Sequence, residues 1–278
     1  MKTNIFLLMA IALMTISCSK DDGNSGGGEQ KTPTISAEEF ASLTPETLPD
    51  YDTWTITGDV TITSEELGTM MSEIDEALGD REISLVFADE TDLSFFESDK
   101  PSSGWPITRL NDNIVSISAE NVTILNDWVF ACCHSVKSFD LPNLQSSPSS
   151  SFYYCLGITS MTLPSLTYLK GTFFQCRNLE YVDLPVATYI GQWTFAWNYA
   201  LTTLKLTSPD IITFYSSAFD NFANIENCTL YLHYNNSYLE DTSALMNTPT
   251  DSEEQITFRE IIYVNSDGEV TDKNGNVL

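Results

Sequence analysis

Basic side chains are scarce in this chain of 278 residues: 12 Lys and Arg stand against 39 Asp and Glu, a formal net charge of −27. So few cations cannot follow a phosphate backbone, which excludes nucleic acid as the main ligand. Histidine is scarcer still, with only His134 and His233, far apart in sequence. A His-based catalytic set needs its base within about 3 Å of a nucleophile. Gly-x-Ser-x-Gly, His-Glu-x-x-His and phosphate-loop motifs are all missing. The chain therefore offers no catalytic residue, no cofactor and no metal site, and it reads as a protein that is not an enzyme. Cys132-Cys133-His134 comes nearest to a thiol or metal site, but no second ligand pair follows it. The segment from Asp267-Gly268 to Asn276 alternates oxygen-bearing side chains as a calcium loop does; it lacks the closing glutamate, so two tight turns are expected. Beyond the N-terminus no apolar run is long enough to span a membrane. What is present is a 42% hydrophobic, 12% aromatic composition, too apolar for a disordered acidic chain and sufficient for a sizeable core.

The chain opens with Met1 and Lys2, an apolar centre from Ile5 to Met14, then Ser17 and Cys18. An apolar helix of that length covers about 15 Å of roughly 30 Å of hydrocarbon, so residues 1–17 read as an export signal rather than a membrane span. Ser17-Cys18 resembles a bacterial lipobox, which implies cleavage there and lipid attachment to Cys18; an ordinary secretory signal is the alternative. Residues 18–34 are then the lipidated cysteine and a flexible tether, holding the body on the order of 20 Å from the membrane. Ser19-Lys20-Asp21-Asp22 resembles the acidic surface-export signals of some Gram-negative lipoproteins. That likeness implies an outer-membrane, lipid-anchored protein facing outward, with the periplasmic face as the alternative.

Self-similarity runs from residue 114 to residue 230. A phenylalanine recurs at Phe130, Phe152, Phe173, Phe195 and Phe219, with spacings of 22, 21, 22 and 24. Three residues after each come Cys133, Cys155, Cys176, Asn198 and Phe222, and three further on Val136, Ile158, Leu179, Leu201 and Ile225. Phe139, Met161, Val182 and Leu204 follow, then Leu141-Pro142, Leu163-Pro164, Leu184-Pro185 and Leu206. A degenerate earlier copy begins at Ile114, with Ile117 and Ala119 in matching slots. One short alternating segment per unit, ended by proline, predicts one strand per unit that pairs with its equivalents in neighbouring units. The product is a solenoid with a parallel ladder along one side.

The pattern Phe-x-x-Cys-x-x-Leu-x-x-Val-x-Leu-Pro, seen in Phe173, Cys176, Leu179, Val182, Leu184 and Pro185, resembles the BspA-type leucine-rich repeat of bacterial surface proteins. The resemblance implies an α/β, right-handed leucine-rich repeat solenoid with a parallel β-sheet ladder, and adhesion to host matrix or to other bacteria. Asn198 and Phe222 in the cysteine slot, Ala119 for leucine and Thr207 for proline predict irregular end units.

Flanking segments are expected to close the coil's ends. Trp54 to Ile62 reads as strand, Ser64-Glu65-Glu66-Leu67 as a helix start with an apolar stripe of Leu67, Met70, Met71, Ile74 and Leu78, and Ile83 to Phe87 as strand. Residues 35–113 thus form an N-terminal α/β cap before the repeats at 114–230. Thr229 to Leu232 gives a last strand, residues 240–256 a polar excursion, and Phe258 to Val264 a strand entering the Asp267-Gly268 turn, making 231–278 a β-rich C-terminal cap. Residues 19–113 hold 22 acids and 5 bases, residues 114–230 only 8 and 4, and 231–278 hold 9 and 2. The acidity lies on the flanks and reads as solvation. Ladder cysteines on adjacent rungs would sit about 4.8 Å apart, within bridging range, but their Cβ bonds run parallel, so free packed thiols are expected.

Outward strand positions form two columns: Ser116, Ser138, Ser160, Tyr181, Thr203, and Ser118, Asp140, Thr162, Asp183, Lys205. The candidate ligand-binding face is Ser138, Asp140, Ser160, Thr162, Tyr181, Asp183, Thr203 and Lys205, within a ladder of six strands about 24 Å across. Off the strands, Trp193, Trp197 and Tyr199 in one unit and Tyr153 and Tyr154 in another supply rings that burial or a stacked sugar would occupy, burial being expected. The partner is an unknown protein of host matrix or bacterial surface. The alternative is a glycan-binding module, or an accessory subunit of a polysaccharide-handling system.

Overall fold

The computed structural model describes residues 34–97, 108–215, 217–219, 225–240 and 258–278. The export signal, Cys18, the tether as far as residue 33, Phe222 and the excursion from residue 241 lie outside the described residues.

Alternation builds the first strands. In β1 (Thr34–Ser36), β2 (Thr53–Thr57), β3 (Ile83–Phe87) and β4 (Ile114–Ala119), residues such as Ile35, Trp54, Ile56, Leu85 and Ile117 are buried between outward threonines and serines. Helix α1 (Ala37–Ala41) follows β1, and α2 (Ser64–Leu78) connects β2 to β3. Thr63 caps α2: its Oγ1 accepts from the Glu66 amide at 3.3 Å while Glu66 Oε2 accepts from the Thr63 amide at 2.9 Å. The stripe Leu67, Met70, Met71, Ile74 and Leu78 is buried as the period predicts.

The coils then supply β5 (Ser138–Asp140), β6 (Ser146–Ser147), β7 (Ser160–Thr162), β8 (Tyr168–Leu169), β9 (Tyr181–Asp183), β10 (Tyr189–Ile190), β11 (Thr203–Leu206) and β12 (Thr213–Phe214). They are followed by β13 (Thr229–His233), β14 (Glu260–Val264) and β15 (Val270–Thr271). Proline sets the strand length: β5, β7 and β9 stop ahead of Leu-Pro, whereas β11, with Thr207 in the proline slot, runs on to Leu206.

Strands β1 to β5 form one parallel sheet; β7, β9, β11, β13 and β14 form a second, closed by antiparallel β15. These arrangements modify three expectations. The flanking segments do not simply cover the ladder: β1, β2 and β3 continue it in parallel register below β4, and β14 continues it beyond β13. Each coil also carries two strands rather than one, since β6, β8, β10 and β12 make a further parallel sheet. Two-residue strands are too short to show alternation, and their edges form because paired amides such as those of Thr167 and Tyr168 share the Gln145 carbonyl of the preceding coil. Finally, the main ladder is interrupted between β5 and β7, where Gly157 lies so close to the previous coil that a Cβ would strike the Val136 and His134 carbonyl oxygens.

The recurrent phenylalanines form the axis of the core. Phe130, Phe152, Phe173, Phe195 and Phe219 are all buried, and successive rings stack at centroid distances of 5.6, 5.8, 6.0 and 5.3 Å with interplanar angles of 23, 17, 20 and 20°. Phe96 extends the stack, 5.6 Å from Phe130. The Val136, Ile158, Leu179, Leu201 row and the Leu141, Leu163, Leu184, Leu206 row are buried beside it. Each phenylalanine stabilises the coil by roughly 1.5–3 kcal/mol through apolar area removed from water.

Candidate functional site

The ladder face follows the predicted columns. Ser116 pairs with Ser138 and Ser118 with Asp140; beyond the interruption Ser160, Tyr181 and Thr203 align, as do Thr162, Asp183 and Lys205. Ser138, Asp140, Ser160 and Thr162 are exposed, and Tyr181, Asp183, Thr203 and Lys205 are half-buried. The interruption divides Ser138 and Asp140 from the other six. With the flanking strands included, each of the two sheets of the ladder has five parallel strands, about 19 Å across at about 4.8 Å per step.

Chemistry concentrates on β9, β11 and β13. The Tyr181 hydroxyl donates to Asp183 Oδ2 at 3.0 Å, and Lys205 Nζ lies 3.9 Å from the same oxygen. That ammonium also sits over two rings, 5.4 Å from the Tyr181 centroid and 5.6 Å from that of Tyr231. Burial disfavours the Lys205 charge, but the Tyr181 hydroxyl, Asp183 and Tyr231 outweigh it and hold the ammonium above its ordinary range. Burial, with Asp183 adding to it, pushes the Tyr181 phenol up. At neutral pH the cluster is a fixed cation framed by two aromatic rings and one carboxylate. Tyr231 was absent from the predicted face, although its place in Thr229–Leu232 alternation, directly opposite Lys205, was the available signal.

The cysteine slot is structural. Cys155 Sγ donates to the Phe130 carbonyl at 3.0 Å, Cys176 Sγ to that of Phe152 at 2.9 Å, and Asn198 Nδ2 to that of Phe173 at 3.0 Å. Asn198 therefore continues the ladder of side-chain donors, where an irregular unit was expected. The five described cysteines are free and buried. Burial, then the neighbouring Cys133, pushes the Cys132 thiol up to about 12, so it carries no thiolate near neutrality. His134 packs its ring edge-to-face on Tyr154 at 5.2 Å, and His233 Nε2 lies 3.2 Å from Ser266 Oγ. Among the described residues no three His, Cys, Asp or Glu side chains are grouped to hold a metal ion, and no helix is long and apolar enough to cross a membrane.

The off-strand rings divide. Tyr153 is buried and Tyr154 and Trp197 half-buried, as expected, whereas Trp193 is 50% and Tyr199 40% exposed.

Parallel rungs stacked in register around a phenylalanine spine define a leucine-rich repeat solenoid, a class whose continuous ladder surfaces are used for binding, generally of protein partners. The chain matches the family described as BspA type leucine rich repeat region, in six copies, over residues 110–226 and 148–250. It belongs to that family. No curated protein and no solved structure matches it.

Proposed function

We propose that this is a non-catalytic, lipid-anchored surface protein of the outer membrane, in which the ladder face docks a protein of host matrix or of another bacterium. The observation that carries the reading is the Tyr181–Asp183–Lys205–Tyr231 cluster at the centre of the longer sheet. Binding energy concentrates in a few aromatic and cationic anchors with small polar residues beside them, and here Ser160, Thr162, Thr203 and Thr229 flank the cluster, with Ile262 next to Tyr231. Its side chains are already held by one another, so little side-chain freedom remains to be lost on docking. The likeness of Ser17-Cys18 to a lipobox and the glycine-rich stretch that follows it support display at the surface.

The test is binding of the lipid-free protein to a panel of immobilised matrix proteins and to intact bacteria. The Tyr181→Ala/Tyr231→Ala double variant should lose at least tenfold in affinity for whichever target binds, because anchors of this kind contribute about 2 kcal/mol or more. Retention of full binding by a folded double variant would contradict the docking face. Anchoring is tested separately: Cys18→Ser should abolish palmitate labelling and release the protein from membranes, and protease added to intact cells should remove the wild type.

A further inference from the structure

A second surface, unrelated to the ladder face, lies on the outside of the phenylalanine loops. The loops of Phe130, Phe152, Phe173 and Phe195 each hold two residues in the left-handed region, two before and two after the phenylalanine: Trp128 and Cys132, Ser150 and Tyr154, Gly171 and Gln175, Trp193 and Trp197, with φ between 50 and 63°. Left-handed backbone disfavours any side chain, and glycine suits it best. Gly171 shows that this turn accepts glycine. Trp128 and Trp193 occupy the position equivalent to Gly171, and Tyr154 and Trp197 the one that Cys132 and Gln175 fill in other loops, so the turn itself does not call for these rings.

These rings join a continuous layer outside the main core. Trp128 packs on Tyr153 at 5.2 Å, Tyr153 on Phe174 at 5.2 Å, and Phe174 on Trp193 at 6.0 Å and Trp197 at 5.8 Å. Beside this layer Arg177 sits between two rings, 5.3 Å from the Tyr154 centroid and 5.9 Å from that of Tyr199. Of its five N–H donors one, on Nη2, makes a hydrogen bond, to Gln175 Oε1 at 3.2 Å. Among the described residues no carboxylate forms an ion pair with this guanidinium. An aromatic platform with an uncompensated, ring-held arginine matches one ligand chemistry: flat C–H sugar faces for the rings and a carboxylate for the arginine.

We infer that the outer aromatic layer of the phenylalanine loops, with Trp193 and Tyr199 as its exposed rings and Arg177 as its cation, binds an acidic, uronate-containing polysaccharide. The site lies apart from the ladder cluster, so its success or failure is independent of the docking reading.

The test is titration calorimetry of the lipid-free protein with hexagalacturonate and with its fully methyl-esterified form. The acid should bind and the ester should bind roughly tenfold more weakly or worse, since a charge-assisted guanidinium pair is lost. Arg177→Gln should equalise the two, and Trp193→Gly, which copies the Gly171 turn and should preserve the melting temperature, should weaken both. Tyr181→Ala should change neither. The inference is overturned if neither oligosaccharide binds in the millimolar range, if acid and ester bind the wild type equally, or if both variants bind as the wild type does. It is overturned equally if sedimentation shows that the layer is covered by a second copy, with Trp193→Gly converting a dimer to monomer.

Discussion

The inner and outer sides of the phenylalanine loops use the same kind of residue in opposite ways. Inside, one identity repeats: five phenylalanines, all buried, stacked at nearly constant angle. Outside, the two flanking positions repeat in backbone but not in identity, passing through Trp, Ser, Gly and Trp at one and Cys, Tyr, Gln and Trp at the other. Constant identity in a constant slot is what packing demands, because each ring must fill the same space between its neighbours. Varied identity in a constant slot marks positions released from that demand. The ladder shows the same contrast, with uniformly apolar inward residues and outward columns that change from serine to tyrosine, aspartate and lysine.

The largest effect that would break this contrast is at the spine. Phe173→Ala should lower stability by about 3–5 kcal/mol and the melting temperature by roughly 6–20 °C, while the outward Tyr181→Ala, which loses one side-chain hydrogen bond, should cost about 1 kcal/mol; equal losses in a thermal scan would contradict the assigned faces. Next is Gly157→Ala, where a methyl would run into backbone carbonyls of the preceding coil; about 1–3 kcal/mol should be lost in a denaturant titration, and no loss would mean that the coils separate easily there. The cysteine slot sharpens the inner rule. Asn198→Ala should cost about 1–2 kcal/mol by orphaning the Phe173 carbonyl, and Asn198→Cys less, because a thiol makes this bond in two other coils.

The smallest effect concerns pH. Burial holds the His233 imidazole below its ordinary range, so the folded protein keeps it neutral. Its contribution is complete above the unfolded value of about 6.5 and falls as pH drops through the lower folded value. Melting temperatures taken between pH 7 and 5 should therefore decline less steeply for His233→Asn than for the wild type, and identical slopes would remove His233 from the account.

Much of this fold was legible because periodicity acts on residues that cannot be satisfied in any other way. Phe130 to Phe219, the Leu-Pro stops, the α2 stripe and both outward columns follow from the period of roughly 22 and from alternation within it. The strands of the second sheet were not legible, since two residues such as Tyr168–Leu169 carry no alternation. Nor was the continuation of the ladder through β1 to β3, where α2 and longer connections obscure the repeat. Of the candidate site, eight outward residues were readable from strand parity. Tyr231 was missed because its strand lies past the last full unit, and Arg177 because its significance lies in its place between the Tyr154 and Tyr199 rings, which spacing does not reveal.

The most direct measurement compares two variants only two residues apart in one loop, Phe195→Ala and Trp193→Gly, in parallel thermal unfolding. If the loop divides stability from recognition, Phe195→Ala melts roughly 6–20 °C below the wild type and Trp193→Gly melts with it. A comparable fall for both would show that the outer rings hold the coil together, and the division between the two sides would be wrong.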